Sequence, residues 1–356
     1  MKRTTPPDGP LRIGMISYYL PSGSKIGVGY QVHELANELV RRGHQVDVYS
    51  ECRPTEGALY GHHHIKLTGP LRTFRFATKL RRVDWSGYDV LHAHGDDYWL
   101  WRRRVARHVR TIHGSCFEEA RRIRGFKERL RMVLLGFTEV LASLVADETV
   151  AVSPATRIWT PWVRGVIPNG VDTGRFAADQ APKAERPTIL FVGTWGGRKR
   201  GALLAEQFLD VVRPQIPDAV LRMVTQDAPA DPGEGIEVLG RLSDEDLRRA
   251  YAEAWVFCLP SSYEGFGIPY VEAMASGVPV VASPNIGARY VTAEGTLGVL
   301  AEDSELGAAL VRLLTSEPER RRLAELGRKR AAEFSLKRVV DEYERVYRGQ
   351  RSPVIL

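Results

Sequence analysis

The residues with the clearest chemical potential lie in the segment Ser261–Gly277, whose sequence is SSYEGFGIPYVEAMASG. A strand is expected to end near Pro260, and Pro269 suits the first position of a helix, where the amide it lacks would have no partner. Gly265 and Gly267 permit an unusual turn before that helix. The segment therefore predicts free backbone amides at a helix N-terminus, which is a suitable partner for a phosphate or diphosphate.

Two carboxylates flank this predicted anion site. The free amides are expected at Phe266, Gly267 and Ile268, while Glu264 precedes the turn and Glu272 lies about one helical turn beyond it. Acids touching a diphosphate would repel it, so we expect both to accept hydrogen bonds from sugar hydroxyl groups. Taken singly, each acid could equally be an ordinary loop or surface residue. The interpretation depends on their occurring together with two glycines and a proline.

Alternating strands and helices must hold this segment in place. In the first half, Leu11–Leu20 and Gln45–Ser50 are predicted strands around a helix over about residues 29–42, whose apolar residues recur at helical spacing. In the second half, Thr188–Thr194 and Val256–Pro260 are predicted strands that precede helices. Repeated βα units predict parallel sheets with helices on both faces and ligands at the carboxyl ends of the strands.

The chain length of 356 residues is natural for two domains. We place an N-terminal domain at residues 1–172, a linker at 173–186 and a C-terminal domain at 187–334. The linker is rich in Pro, Ala, Gly and charged residues. Residues 335–356 are predicted to form a last helix that packs back toward the N-terminal domain.

Composition argues against several classes of protein. The N-terminus lacks the apolar core of a signal peptide, and the most apolar stretch, Met132–Ala146, is interrupted by Glu139 and is predicted to be a buried helix rather than a membrane span. A cytoplasmic location is expected. A disulfide framework or a zinc site is disfavoured because the three cysteines are scattered without CxxC spacing, at Cys52, Cys116 and Cys258.

The net charge is +7, and basic residues crowd the stretch Arg72–Arg131. Nucleic acid is a disfavoured partner because this stretch has no zinc-finger or RNP-type motif and no interleaved aromatic residues. A solvated, arginine-rich helical surface is one explanation for the charge. The other is contact with an anionic acceptor or with the inner face of a membrane, which would make the protein peripheral there.

The segment Ser261–Gly277 and its continuation to Ser283 resemble the E-x7-E signature of the family-4 glycosyltransferases. Weaker likenesses extend over most of the chain, in the glycine loop and helix Ser24–Leu39, in RTIHG at Arg110–Gly114 and in FVGTWGGRKR at Phe191–Arg200. The resemblance implies an α/β protein of the GT-B class, in which two Rossmann-like domains with parallel sheets face each other across a cleft. It also implies transfer of a sugar with retention at the anomeric carbon.

The resemblance assigns roles in the C-terminal domain. Glu264 would bind a hydroxyl of the transferred sugar as a catalytic residue, and Glu272 would hold the nucleotide ribose. Lys199 would neutralise the diphosphate, with Arg198 beside it, and the three amides named above would line the diphosphate and the sugar.

Roles in the N-terminal domain follow from the same resemblance. Gly27 would bring its amide to the phosphate, and His113 would contact the donor sugar as the second catalytic residue. Tyr30 and His94 are assigned to the acceptor. His92, which ends the same predicted strand as His94, is a weaker candidate for the acceptor side.

The chain departs from the family pattern at two positions. Many relatives have an arginine where this chain has Thr194, so Arg198 or Arg200 would have to supply the missing charge. The glycine loop keeps one glycine of a usual pair, because Ile26 precedes Gly27. Both changes affect the expected contacts with the diphosphate.

The predicted function is transfer from a nucleotide-diphosphate sugar, UDP-linked by preference and GDP-linked second, to an acceptor hydroxyl. No cofactor is expected, and no metal is expected because no DxD-type site is evident; the adjacent histidines His62–His64 fall in a predicted loop and point apart. The acceptor is either a phospholipid or lipid-linked molecule or a small molecule.

Three other functions are weighed. An epimerase of the same fold would need no acceptor, and a non-catalytic nucleotide-sugar binding protein would lack His113 or Gly27. A dinucleotide-dependent oxidoreductase would need GxGxxG after the first strand, where this chain reads PSGSKIGVG.

Overall fold

The computed structural model describes residues 9–23, 27–101, 105–121, 123, 125–177 and 181–351. The chain divides into two compact units. Unit 1 comprises Met1–Gly170 and Leu336–Leu356, and unit 2 comprises Val171–Ser335. Ser24–Ile26, with which the predicted glycine loop begins, lie outside the described residues.

Within the described residues, unit 1 forms a seven-stranded parallel sheet of order β3-β2-β1-β4-β5-β6-β7. Its strands and helices, before the chain leaves for unit 2, are β1 (Arg12–Ile16), α1 (Gly27–Arg41), β2 (Gln45–Ser50), β3 (Gly61–His64), α2 (Arg72–Leu80), β4 (Val90–Ala93), β5 (Arg107–Ile112), α3 (Cys116–Ala120), α4 (Phe126–Val145), β6 (Glu148–Ala151) and β7 (Gly165–Val166).

In unit 2, the described residues form a six-stranded parallel sheet of order β10-β9-β8-β11-β12-β13. A π-helical turn, Phe208–Val212, joins α6 to α7. The elements are α5 (Thr173–Ala177), β8 (Thr188–Val192), α6 (Gly201–Gln207), α7 (Arg213–Gln215), β9 (Val220–Val224), β10 (Ile236–Val238), α8 (Asp244–Glu253), β11 (Val256–Leu259), α9 (Ile268–Ala275), β12 (Val280–Ala282), α10 (Ile286–Val291), β13 (Val299–Leu300), α11 (Leu306–Thr315) and α12 (Glu317–Glu333).

The last helix, α13 (Leu336–Tyr347), returns to unit 1. Its apolar residues, including Val340 and Tyr347, join the core that α1 and the strands of unit 1 form. Arg42 at the end of α1 donates to Asp341 and Glu344 of α13 at 2.6 and 2.7 Å. The helix is therefore held to unit 1 both by apolar packing and by ion pairs.

The two predicted Rossmann-like α/β domains with parallel sheets are confirmed. The strand β2 has its predicted bounds. Ser243 caps α8 by accepting a hydrogen bond from the amide of Asp246. The region assigned to a linker, 173–186, begins with α5, which lies in unit 2.

Two local predictions are wrong. His62–His64 belong to β3, which pairs in parallel with β2, and not to a loop. Met132–Ala146 is helical as predicted, since α4 covers it as far as Val145, but the predicted burial is wrong because Leu134, Phe137 and Leu144 are exposed. An apolar stretch gives no information about which side of a helix a neighbouring element covers. Over the described part of the chain, no helix combines the length and apolarity that a membrane crossing requires.

Candidate functional site

A buried ion pair marks the candidate site in unit 2. The Lys199 Nζ atom lies 2.7 Å from Oε1 of Glu264, and Nη1 of Arg198 lies 3.0 Å from the same oxygen. The Glu264 side chain is 7% exposed and that of Lys199 is 17% exposed, whereas Arg198 is half exposed. Two cations therefore share one carboxylate, which leaves the cluster with a net positive charge.

Sheet topology brings these residues together over a long stretch of sequence. The strands β8 and β11 are neighbours in the sheet of unit 2. Lys199 lies in the turn after β8, and Glu264 lies in the loop after β11. Because parallel strands end at the same edge of a sheet, the two loops meet there. Gly193 lets the first loop fold closely, since a Cβ atom at this position would lie 3.2 Å from Cβ of Lys199.

The turn from Glu264 into α9 depends on a left-handed glycine. Gly267 caps α9 with a φ angle of 93°, and a Cβ atom there would meet the Tyr270 ring at 2.3 Å. α9 begins at Ile268, so Pro269 occupies its second position rather than the predicted first. The first amides of a helix have no intrahelical partner. The N-terminus of α9 therefore lies three residues after Gly265, and its unpaired amides can bind a negatively charged group there.

A second close approach fixes this turn. The amide of Gly287 in α10 donates to the Glu264 carbonyl at 2.9 Å. A Cβ atom on Gly287 would lie 2.5 Å from the Phe266 carbonyl oxygen, so only glycine fits without a shift. The Phe266 side chain is buried and packs against Phe334 at a ring distance of 5.3 Å. Phe266 is therefore positioned to offer its backbone, and its side chain belongs to the core.

Electrostatics keep the ion pair charged. Burial alone would raise the pKa of Glu264, but the charges of Lys199 and Arg198 outweigh it and hold that pKa below its ordinary value. Burial lowers the pKa of Lys199, and the Glu264 carboxylate opposes this shift. Each group stabilises the charged form of the other in surroundings that disfavour charge.

Glu272 has a different environment on α9. Its Oε2 atom accepts a hydrogen bond from the Tyr251 hydroxyl at 2.8 Å. Burial raises the pKa of Glu272, while the bond from Tyr251 and the charge of Arg175 oppose the rise. A carboxylate in this position gains from any additional hydroxyl donor. The sequence did not single out Tyr251, because a tyrosine in a helix gives no indication that it will bond a carboxylate on another helix.

Arg198 and Arg200, the two candidates to replace the arginine missing at Thr194, make different contacts. The guanidinium of Arg200 contacts the Pro260 carbonyl at 2.6 Å, the Ser283 hydroxyl at 2.8 Å and Asp303 at 2.7 Å. These contacts tie the loop after β8 to other loops of unit 2. Arg198 is the residue that reaches Glu264, through its ion pair and a 2.8 Å bond to the Tyr263 carbonyl.

Asp227 also supports the loop, and the sequence reasoning missed it. Its carboxylate accepts hydrogen bonds from the amides of Trp195 at 2.8 Å and Gly196 at 3.3 Å. These bonds and that from Thr225 lower its pKa against the effect of burial. The available signal was its position just after β9, at the same edge of the sheet.

In unit 1, His94 and His113 form a pair. They directly follow the adjacent strands β4 and β5, and Nδ1 of His94 lies 2.9 Å from Nε2 of His113. Burial and the charge of Arg110 lower the pKa of His113 to about 4. Burial, together with His92 and His113, also lowers the pKa of His94 well below its usual value. Both imidazoles are therefore neutral near pH 7.

The remaining residues assigned to unit 1 have separate surroundings. His92 is fully buried, and its ring nitrogens contact the hydroxyls of Tyr347 at 2.7 Å and Thr111 at 2.8 Å. The suggestion that His92 faces an acceptor is therefore wrong, because both of its polar atoms are used within the core. Gly27 is the exposed first residue of α1, and Tyr30, on the same helix, is 38% exposed.

Among the described residues, no group of three or more histidine, cysteine, aspartate or glutamate side chains is arranged to hold a metal ion. The rings of the three adjacent histidines contact protein atoms instead. His62 bonds the Cys52 carbonyl, His63 pairs with Asp47, and His64 bonds the Glu51 carbonyl. Cys52, Cys116 and Cys258 are free thiols.

Two family models match consecutive parts of the chain. The model described as Glycosyltransferase Family 4 matches residues 26–175, and the model described as Glycosyl transferases group 1 matches residues 173–330. The first match contains the His94–His113 pair, and the second contains the cluster of Lys199, Arg198 and Glu264.

Known glycosyltransferases resemble the chain over most of its length. An MMP alpha-(1->4)-mannosyltransferase of Mycolicibacterium hassiacum is 36% identical over 64% of this chain and 58% of its own length. A phosphatidyl-myo-inositol mannosyltransferase of Mycobacterium tuberculosis is 28% identical over 95% of this chain and 96% of its own. The solved structure of Anabaena HepE with UDP-glucose has a TM-score of 0.73 at 17% identity, over 94% of this chain and 99% of that one. This last likeness shows the shared fold.

Proposed function

We propose that this chain, a glycosyltransferase that belongs to family 4, transfers a hexosyl group from a nucleotide-diphosphate sugar to an acceptor hydroxyl with retention at the anomeric carbon. The observation that carries the proposal is the cluster of Lys199, Arg198 and Glu264 at the N-terminal turn of α9. It combines two cations, free helix amides and a carboxylate at one edge of a parallel sheet.

The cluster suits a diphosphate that leaves a sugar. Bond cleavage at the anomeric carbon places growing negative charge on the departing phosphate. Lys199, Arg198 and the first amides of α9 would stabilise that charge, and their fixed positions mean that little reorganisation is needed during the reaction. Removing one such donor typically lowers the rate by about two to three orders of magnitude.

The two glutamates would act on opposite ends of the donor. Glu264 would accept a hydrogen bond from a sugar hydroxyl, and Glu272 would accept one from the nucleotide ribose. The half-buried position of Glu272 favours this role, because a ribose hydroxyl would stabilise a carboxylate that partial burial destabilises. The amides of Phe266, Gly267 and Ile268 would then lie between the two acids.

His113 is proposed as the second catalytic residue, and Gly27 as a backbone contact for phosphate. His113 would act as a neutral hydrogen-bonding group, since its pKa lies near 4. No protein nucleophile is assigned: the departing phosphate would itself accept the proton of the acceptor hydroxyl on the same face of the sugar. Tyr30 and His94 remain proposed contacts for the acceptor.

The donor is proposed to be a UDP-sugar, with a GDP-sugar second. The Anabaena HepE structure, which holds UDP-glucose, supports the first. The acceptor is a small molecule or a phospholipid or lipid-linked molecule. The name of the Mycobacterium tuberculosis relative, a phosphatidyl-myo-inositol mannosyltransferase, supports the second kind.

A donor-hydrolysis screen tests the proposal. The full chain is incubated with UDP- and GDP-linked hexoses, and release of the free nucleotide diphosphate is measured. Glu264→Gln is compared with Glu206→Gln, which changes an exposed glutamate of α6. We expect hydrolysis of at least one donor, reduced by about two orders of magnitude in Glu264→Gln and unchanged in Glu206→Gln.

Three results would count against the proposal. Equal turnover by Glu264→Gln and the native chain would remove the assigned site. Conversion of the donor to an isomeric nucleotide sugar, without release of the nucleotide diphosphate, would favour the epimerase alternative. Binding of donors without any turnover, in the presence of varied acceptors, would favour a non-catalytic binding protein.

A further inference from the structure

The helix α4 (Phe126–Val145) exposes a continuous row of large apolar side chains. They recur three, four or seven residues apart, which places them on one side of an α-helix. Phe126 is 78% exposed, and Phe137 and Leu144 are each 63% exposed. We name this row the α4 stripe; its members are Phe126, Leu130, Leu134, Phe137 and Leu144.

The opposite side of α4 is the one that packs on unit 1. Its buried residues are Met132, Gly136, Ala142 and Ser143. Gly136 allows the Phe117 ring to lie directly against the helix, since a Cβ atom there would be 2.8 Å from that ring. A helix with one buried side ordinarily presents polar residues to water on the other. The α4 stripe breaks this rule, and contiguous exposed apolar surface of this kind marks an interaction site.

Aromatic side chains widen the stripe on one flank. The Phe137 ring lies 5.3 Å from the ring of Phe117, which in turn lies 5.0 Å from that of Trp159. Trp159 is 42% exposed, and its neighbour Ile158 is more exposed still. Exposed tryptophan beside leucine and phenylalanine is typical of surfaces that sit at the boundary between water and lipid.

Basic residues border the stripe along both edges. At 100° per residue, Lys127 and Arg131 follow one edge of the stripe and Arg129 follows the other. Glu128 lies beyond the edge that Lys127 and Arg131 follow, farther from the stripe, and pairs with Arg131 at 2.5 Å. Over the described residues 125–131, three basic residues accompany this one acid. The border is therefore complementary to a negatively charged surface.

We propose that the α4 stripe docks this chain on the surface of a bilayer that contains anionic lipid. The helix would lie in the plane of the surface, with its apolar residues among the acyl chains and its basic border at the headgroups. The basic border favours an anionic lipid surface over a second copy of this chain, because the chain itself carries a net charge of +7 and would repel the border. The inference deepens the proposed function, since docking would bring the enzyme to acceptors held in or at a membrane.

Vesicle sedimentation of the full chain tests the docking. Vesicles of phosphatidylcholine alone are compared with vesicles that also contain phosphatidylglycerol, at low and at moderate salt. We expect strong sedimentation with the anionic vesicles at low salt, weaker sedimentation at moderate salt, and little with the neutral vesicles. Absence of binding to anionic vesicles at low salt would overturn the proposal.

The apolar contribution is tested by the double variant Phe126→Ser with Phe137→Ser. Both side chains are exposed, so the fold should tolerate the change, and we expect the partition coefficient to fall at least about tenfold. The matched control is Leu59→Ser with Val238→Ser, which removes two exposed apolar residues elsewhere and should leave binding unchanged. An equal loss in both would show that general exposure of apolar residues is responsible.

The basic contribution is tested by Lys127→Gln with Arg129→Gln. Each charge removed should weaken binding to anionic vesicles roughly fivefold, and binding to neutral vesicles should not change. The control is Arg321→Gln with Arg322→Gln, two exposed arginines of α12. Unchanged binding to anionic vesicles in the first pair would refute the charge argument.

Two further readouts separate this proposal from others. Phe126→Ser with Phe137→Ser should retain donor hydrolysis, and Glu264→Gln should retain vesicle binding, so failure of one proposal leaves the other measurable. Analytical ultracentrifugation identifies the competing occupant. A dimer of the native chain that the double serine variant abolishes, without vesicle binding, would assign the α4 stripe to a second copy of the chain.

Discussion

Replacing Lys199 by methionine should destabilise unit 2 near pH 7, and the loss of stability should become smaller as the pH falls. The substitution keeps most of the side-chain volume but removes the cation 2.7 Å from Glu264. Removing one partner of a buried ion pair costs about 3–5 kcal/mol, because the remaining charge stays buried. We expect a value near the lower limit, about 3 kcal/mol, since Arg198 still contacts the same carboxylate.

Differential scanning calorimetry measures this loss. For a unit of this size, 1 kcal/mol corresponds to about 2–4 °C, so the unfolding midpoint of unit 2 should fall by about 6–12 °C. Lys329→Met, which changes an exposed lysine of α12, is the control and should shift it by less than about 2 °C. The double variant Lys199→Met with Glu264→Gln should recover most of the loss, because no buried charge is then left and Arg198 is half exposed to water.

The pH dependence gives the sharper test. In the native chain the pKa of Glu264 lies below its unfolded value, so its stabilising effect is complete above the unfolded pKa of about 4.3 and is lost as the pH falls through the lower, folded pKa. Without Lys199, burial should raise the folded pKa above the unfolded one. Stability of Lys199→Met should then increase as the pH falls from 7 toward 4. The same slope in the variant and the native chain would refute the assigned coupling.

Three further predictions follow from the same site. Donor affinity, measured by titration calorimetry with UDP or GDP, should fall as the pH drops through the raised pKa of Glu272, and Glu272→Gln should abolish this dependence; a persistent dependence would exclude the proposed ribose contact. Gly267→Ala should cost about 1–3 kcal/mol and most of the hydrolytic activity, because alanine disfavours the φ angle of 93° and would meet the Tyr270 ring, whereas Gly196→Ala, with open space at its Cβ position, should change stability little. Donor hydrolysis should be unchanged in excess chelator, and a requirement for added magnesium or manganese would contradict the assignment of the charge-neutralising role to Lys199 and Arg198.

Local sequence carried much of the information about the site in unit 2. The order of glycine, proline and apolar residues in Ser261–Gly277 predicts a strand end, an unusual turn and a helix start, all of which depend on neighbouring residues. The structure has these features, with the helix displaced by one residue so that Pro269 is second. Apolar runs similarly predicted β1, β2, β8 and β11 to within a few residues.

Features that depend on distant partners were harder to predict. His92 and His94 are two residues apart, a spacing that a strand places on the same face, and their rings lie 4.1 Å apart. Their partners nevertheless differ, because His92 contacts the hydroxyls of Tyr347 and Thr111 whereas His94 contacts His113. Strand periodicity therefore gives no signal that His92 is the enclosed one, and this becomes visible only in the packing of Tyr347 from α13. The same limit applies to α4, whose apolar residues were placed in the core although one side has nothing packed on it in the described structure.

The choice between Arg198 and Arg200 bears on how a donor would bind. Arg200 is committed to Pro260, Ser283 and Asp303, so its charge serves the packing of loops. Arg198 instead shares the Glu264 carboxylate with Lys199, and both cations would be drawn toward a bound diphosphate. A diphosphate would therefore compete with Glu264 for the same two cations. When the diphosphate draws Lys199 and Arg198 away, the Glu264 carboxylate loses its partners and can accept a hydrogen bond from a sugar hydroxyl instead. Binding of the phosphates and orientation of the sugar would therefore be coupled through Oε1 of Glu264.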